Sequence, residues 1–169
     1  GLPSGEIVAL QSPVFRKDDR TADALFHMNH ASDASAFLAA LREFDSPMQN
    51  VVFADRNGTI GFVSAGRMPI RSTVAPTPAL LPGWSDVYDV KGYIPFEQLP
   101  YVIDPAGGEI VNANNRVVGD RYPYAFGGFW AGPDRAKRID DLLSERDRLD
   151  TSALASIQTD DVSLGARML

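Results

Sequence analysis

Ser46-Pro47-Met48-Gln49-Asn50-Val51-Val52-Phe53-Ala54-Asp55-Arg56-Asn57-Gly58-Thr59-Ile60-Gly61-Phe62 is the stretch whose reading decides the fold. Runs of β-branched and aromatic residues, Val51-Val52-Phe53 before and Thr59-Ile60-Gly61-Phe62-Val63 after, flank the turn group Asp55-Arg56-Asn57-Gly58. Asn and Gly tolerate the positive φ that a tight hairpin turn demands, so the stretch reads as a β-hairpin with Asp55 serving its turn. Asn50, beside Gln49 at the start of the first strand, sets a side-chain amide at the mouth of the hairpin. An amide donor held on a rigid strand can stabilise a developing oxyanion, and it can equally cap a turn.

Working outward, Ser32 offers a helix N-cap with Asp33 in the first turn. Ala34, Phe37, Leu38 and Leu41 then fall on one helical face, and the helix should end before Pro47, whose predecessor avoids helical angles. Further upstream, alternation over Glu6–Leu10 and Ala24–Met28 predicts two strands on either side of the polar segment Arg16 to Arg20. Downstream, Pro69, Pro76, Pro78, Pro82, Pro95 and Pro100 forbid long helices and central strands between Met68 and Pro105. That region reads as a wrapped loop with a short strand near Val90 to Ile94, anchored by Trp84, Tyr88, Tyr93, Ile94, Phe96 and Leu99. Asp104-Pro105-Ala106-Gly107-Gly108 is a turn cluster, and Glu109 to Ala113 a short strand. After a second aromatic loop, Tyr122 to Trp130, a helix starts near Pro133 with Asp134 in its first turn and Ala136, Ile139, Leu142 and Leu143 as its stripe. Thr151 caps a last helix in which Leu154, Ile157, Asp161 and Leu164 share a face that runs to the terminus.

Composition narrows the chemistry. The 169 residues, 44% of them hydrophobic, suffice for one domain with a sizeable core. A net charge of −6, with 16 dispersed Lys and Arg, argues against a nucleic-acid partner. The chain has no apolar run of bilayer length, so no membrane span is expected. It contains no Cys, which removes disulfide scaffolds, zinc ribbons and cysteine nucleophiles. His27 and His30 lack further metal ligands, and the reading is that one packs while the other is solvated. No Gly-x-Ser-x-Gly elbow occurs, and neither Gly107-Gly108 nor Gly127-Gly128 has the strand-to-helix setting of a phosphate loop. The Tyr122 to Trp130 aromatics suit either an acyl pocket or loop packing, and Asp160-Asp161 reads as a solvated or salt-bridged pair on the last helix.

A set of short motifs runs through the chain in order. Gln49-Asn50, Ala54-Asp55, Gly58, Ile60-Gly61, Gly66 and Pro69-x-Arg71 come first. Pro82-Gly83-Trp84, Gly92-Tyr93-Ile94-Pro95-Phe96-Glu97-Gln98-Leu99-Pro100 and Asp104-Pro105-x-x-Gly108-x-Ile110 follow. Asn112-Ala113-Asn114-Asn115, Asp134-Arg135-x-x-Arg138-Ile139 and Ile157-Gln158-x-Asp160-x-x-Ser163 complete the set. From about Leu25 to Leu169 this combination resembles the penicillin amidase family of N-terminal nucleophile hydrolases.

The resemblance implies an α+β fold: a helix, a hairpin contributing to a layered αββα sheet, long wrapped loops and two C-terminal helices. It implies that Asn50 is the oxyanion-hole asparagine and that Arg71 orients polar partners near the substrate and the catalytic amine. Its alternative, an ordinary arginine paired with a carboxylate, stays open. Asn112 and Asn114 match positions that shape the loop near the site. Family members use a serine at the start of a chain, whereas this sequence begins Gly1-Leu2-Pro3. Residues 1–169 are therefore expected to be one segment of the larger, β chain of a self-cut precursor, inactive alone. The implied partners are a small-molecule N-acyl amide, such as a penicillin, and the rest of the precursor, the α chain and remaining β chain. No cofactor is implied for catalysis, a structural calcium ion is implied for the full-length enzyme, and the implied location is periplasmic or secreted. An acyl-homoserine lactone acylase of the same family and a non-catalytic binding or scaffold module are the alternatives.

Overall fold

A computed structural model of the chain describes residues 5, 7–71, 80–126, 130–145 and 148–168. In chain order its elements are α1 (Thr21–Asn29), α2 (Ala34–Leu41), β1 (Gln49–Ala54), β2 (Ile60–Ala65), β3 (Pro69–Arg71), β4 (Val90–Tyr93), β5 (Tyr101–Ile103), α3 (Asp134–Ser144) and α4 (Thr151–Gln158). Short 3-10 turns at Pro13–Phe15, Asp86–Tyr88, Phe96–Gln98 and Ala166–Met168 punctuate the loops. The architecture is α+β, with one antiparallel sheet ordered β1-β2-β5 and a second, two-stranded one formed by β3 and β4.

The hairpin forms as its sequence predicts. β1 and β2 pair antiparallel from Gln49↔Ala65 to Ala54↔Ile60. Asp55 organises the turn, accepting from the backbone N–H of Asn57 at 2.8 Å and of Thr59 at 3.1 Å, while Gly58 sits at φ 94°. Its other carboxylate oxygen accepts from Ala34 N–H at 3.1 Å, so the same side chain ties the hairpin turn to the first turn of α2. Those backbone donors, Ala34 first among them, hold the Asp55 carboxyl below the usual carboxylate range.

Alternation along β1 sends Val51 and Phe53 toward the helices and leaves Asn50 and Val52 on the opposite face, both exposed. The core lies between β2 and the first two helices: Ala24, Leu41, Phe44, Val63 and Ala65 are buried, with Met28, Phe37 and Phe53 packed against them. Gly61 stands opposite Phe53 in the register, and a Cβ there would lie 2.2 Å from Phe53 Cζ. The ring therefore crosses the strand at Gly61 and meets Phe37 with ring centroids 5.0 Å apart.

Several expectations are corrected. Ala24–Met28 is part of helix α1, and Ile7–Leu10 is not a strand; Glu6 and Gly1–Ser4 lie outside the described residues. Ala24 and Met28, four residues apart, share the buried helical face, while Leu25 and Phe26 are exposed, so the apparent alternation was two apolar surfaces of one helix. The α2 cap is Asp33, accepting from Ala36 N–H at 2.8 Å, rather than Ser32. Between Met68 and Pro105 the short strand near Val90 is present as β4, but β3 and β5 are strands as well. β5 follows Pro100 at a sheet edge, where a proline costs no ladder bond. Ile94 and Leu99 are buried anchors of this region; Trp84 is 91% exposed and anchors nothing, and Pro76 and Pro78 lie outside the described residues.

Glu109–Ala113 is irregular because asparagine side chains capture the backbone there: Asn115 Oδ1 accepts from Ala113 N–H at 3.0 Å. α3 starts after Pro133 as expected. α4 is capped by Asp150, which accepts from Ala153 N–H at 2.8 Å, and ends at Gln158, so Thr151 is not its cap and Asp161 and Leu164 are not on it. Among the described residues no helix is long and apolar enough to cross a membrane.

Candidate functional site

Asn50 stands at the start of β1, directly across from Ser64 on β2. The buried Ser64 hydroxyl donates to Asn50 Oδ1 at 2.7 Å, and Asn50 Nδ2 donates to Asn112 Oδ1 at 3.1 Å. Asn112 Oδ1 also accepts from Asn114 N–H at 3.4 Å. Asn114 is held by Arg135 of α3, whose Nη2 donates to Asn114 Oδ1 at 3.0 Å and to Ala113 O at 2.6 Å. An amide has two N–H bonds, and only one from Asn50 is taken among the described residues. The other is a donor on an exposed strand face, held in place before any ligand arrives. An amide donor so placed can stabilise negative charge developing on an oxygen.

The loop from Asn112 to Asn114 therefore does meet Asn50, as the sequence reading implied. Ser64 was missed, although the hairpin register contains the signal: pairing Ala54 with Ile60 across the turn carries Asn50 onto Ser64.

Arg71 stands at the end of β3 in the second sheet. Its Nη1 donates to Tyr88 O at 2.5 Å and to Gln11 Oε1 at 3.0 Å, and among the described residues no carboxylate pairs with it. Among the described residues it shares no hydrogen-bond partner with Asn50. The cation that is paired in this neighbourhood is Arg67, whose Nε donates to Asp45 Oδ1 at 2.5 Å. Asp45 in turn accepts from Arg20 N–H at 2.8 Å, so this pair fastens the start of α1 to the end of β2.

The remaining candidates are structural. His27 and His30 are both exposed, the first against Glu43 at 3.0 Å and the second on Phe26 O at 2.8 Å, so neither packs in the core. Asp160 accepts a two-pronged contact from Arg138 at 3.0 and 2.6 Å, which joins the end of α4 to α3 and lowers the Asp160 carboxyl from its ordinary range. Tyr122 packs edge-on against Tyr124 and Phe126, and its hydroxyl donates to Gln98 O at 2.6 Å; burial raises its phenol above the usual value. Gly127-Gly128 lies outside the described residues.

An open groove of about 780 Å³ runs beside the outer face of β1, between Val52, Ala54, Ile110, Leu143 and Leu154. Among the described residues no group of three or more His, Asp or Glu side chains is placed to hold a metal ion.

A family model described as penicillin amidase matches residues 3–169. The acyl-homoserine lactone acylase QuiP of Pseudomonas fluorescens is 36% identical over 171 residues, covering 99% of this chain and 20% of that protein. The penicillin acylase 2 proenzyme of Pseudomonas sp. strain SE83 is 35% identical over 159 residues, 94% of this chain and 20% of that protein. The chain thus spans about one fifth of the length of these curated relatives. Among solved structures, the thermostable penicillin G acylase from Alcaligenes faecalis superposes with a TM-score of 0.64 at 22% identity, over 82% of this chain and 24% of that one, a likeness of fold.

Proposed function

Because this chain belongs to the penicillin amidase family, we propose that it is a segment of the β chain of a self-processed amide hydrolase, in which Asn50 stabilises the oxyanion. The observation that carries the reading is the Asn50 amide held between Ser64 and Asn112, with one Nδ2 hydrogen that no described residue takes. In the proposed reaction a serine at the start of the β chain, outside these residues, attacks the carbonyl of an N-acyl compound. The serine's own α-amine takes its proton, directly or through a water, since an amine of ordinary pKa near 8 can act as a base at neutral pH. The tetrahedral oxyanion accepts from Asn50 Nδ2, the amine departs with a proton, and water releases the acyl-enzyme through a second oxyanion at the same donor.

Arg71, without a carboxylate partner among the described residues, is proposed to orient polar groups at the edge of this site. Relatives named for acyl-homoserine lactones and for penicillins support a substrate at the level they share, an N-acyl compound. No cofactor takes part in the proposed chemistry, any structural calcium belongs to the full-length enzyme, and a periplasmic or secreted location is part of the same proposal. The partners are the substrate and the remainder of the precursor, and this segment alone does not turn over amides.

The test is to express the full reading frame and measure intact product masses. Two chains, the second beginning with serine and containing Asn50, support the reading; a single uncut chain in a folded protein refutes it in favour of a binding module. In the processed enzyme, Asn50→Ala should lower kcat by about 100- to 1,000-fold on a chromogenic N-acyl anilide.

A further inference from the structure

We propose that Ser64 is a positioning residue, whose hydroxyl anchors the Asn50 amide in the orientation that Asn112 selects. The inference rests on the oxyanion reading of Asn50 and adds a residue to it. An asparagine amide is nearly symmetric in shape, so its two orientations differ only in the hydrogen bonds they make. The orientation is decided at one end of a chain of contacts and anchored at the other. At one end the Asn114 N–H, itself at a residue with φ 63° that Asn tolerates, directs the Asn112 oxygen toward Asn50. Arg135 holds that segment in place through Ala113 O and Asn114 Oδ1. Facing an oxygen, Asn50 must present Nδ2, which turns its Oδ1 back across the sheet to Ser64.

Ser64 completes the arrangement. A hydroxyl can donate or accept, but here it meets a carbonyl oxygen at 2.7 Å and must donate. Ser64 is 1% exposed, so water does not compete for that hydrogen, and its backbone N–H is already spent on Pro100 O at 2.9 Å. The flipped amide would set oxygen against oxygen at Asn112. With both ends satisfied, one Nδ2 hydrogen goes to Asn112 and the second points outward for an oxyanion. Ser64 touches no reacting atom; it acts through Asn50.

The experiment is a double-mutant cycle in the processed full-length enzyme, with kcat and KM measured on a chromogenic N-acyl anilide. Ser64→Ala should lower kcat about 5-fold, the rate equivalent of about 1 kcal/mol for one neutral hydrogen bond, with KM unchanged. In an Asn50→Ala background the same substitution should change nothing, because the group it positions is gone. A Ser64→Ala effect of equal size in both backgrounds, including one caused by misfolding, makes the residue structural and overturns the inference. A large Asn50→Ala loss with no Ser64→Ala loss overturns the inference and leaves the oxyanion reading standing. An Asn50→Ala enzyme with unchanged kcat overturns both.

Discussion

Gly61→Ala should destabilise the protein although alanine is ordinarily the better strand residue. Without tertiary contacts the change would gain about 0.5–1 kcal/mol. Here the new Cβ would fall 2.2 and 2.5 Å from Phe53 Cζ and Cε1 and 2.8 Å from Ile103 Cδ1. The Ile103 methyl is the free end of a side chain and can turn aside, but the Phe53 ring is stacked over the strand and packed on Phe37. Forcing it out carries an overpacking cost of about 1–3 kcal/mol, and losing the aromatic pair adds about 0.5–1.5 kcal/mol. The expected net cost is about 0.5–4 kcal/mol, read as a lower urea midpoint for the full-length protein followed by near-UV circular dichroism. The control is the same substitution in a Phe53→Ala background, where the obstructing ring is absent and Gly61→Ala should be neutral or stabilising within about 0.5 kcal/mol. An equal cost in both backgrounds, or a cost below about 0.5 kcal/mol in the first, would refute the packing argument.

Leu41→Ala, at a fully buried position between α2 and β2, should cost about 2–5 kcal/mol in the same denaturation assay. Trp84→Ala, at a side chain 91% exposed, should stay within about 0.5 kcal/mol of the parent despite the larger residue removed. Asp160→Asn tests the Arg138 pair by pH. The Asp160 carboxyl is lowered in the fold, first by its hydrogen bonds from Arg138, so the stability it contributes is present above its unfolded value near 4 and lost as pH falls through the folded value. The melting temperature of the variant should therefore lie below the parent's at pH 6 and converge with it as the pH drops below about 4; a gap independent of pH would show that the ion pair is not its source.

Local chemistry was legible where it acts over a few residues. The Asn57-Gly58 turn, the helical spacing of Phe37, Leu38 and Leu41, and the start of α3 at Pro133 all follow from backbone preference and periodicity, and all are found. Errors arose where a short pattern fits two periods. Ala24 to Met28 alternates like a strand, yet only tertiary burial of Ala24 and Met28 against Leu41 and Val63 reveals the helix. Asp33 and Asp150 displaced Ser32 and Thr151 as caps by one residue, a difference set by which side chain reaches a free N–H.

The sequence by itself determined the hairpin, the α+β class, the absence of cysteine chemistry and, through its ordered motifs, the family to which the chain belongs. It also singled out Asn50, through the family resemblance; of itself Gln49-Asn50 at the start of an otherwise apolar strand only marks two polar residues there. Only the tertiary structure decided which groups the Asn50 amide meets. That depends on Ser64, 14 residues away, and Asn112, 62 residues away, meeting it from the neighbouring strand and from an irregular loop. It likewise placed Arg71 on the second sheet, against Gln11 and the Tyr88 carbonyl. Hydrogen-bond direction is a property of three-dimensional neighbours, and no local preference of the chain encodes it.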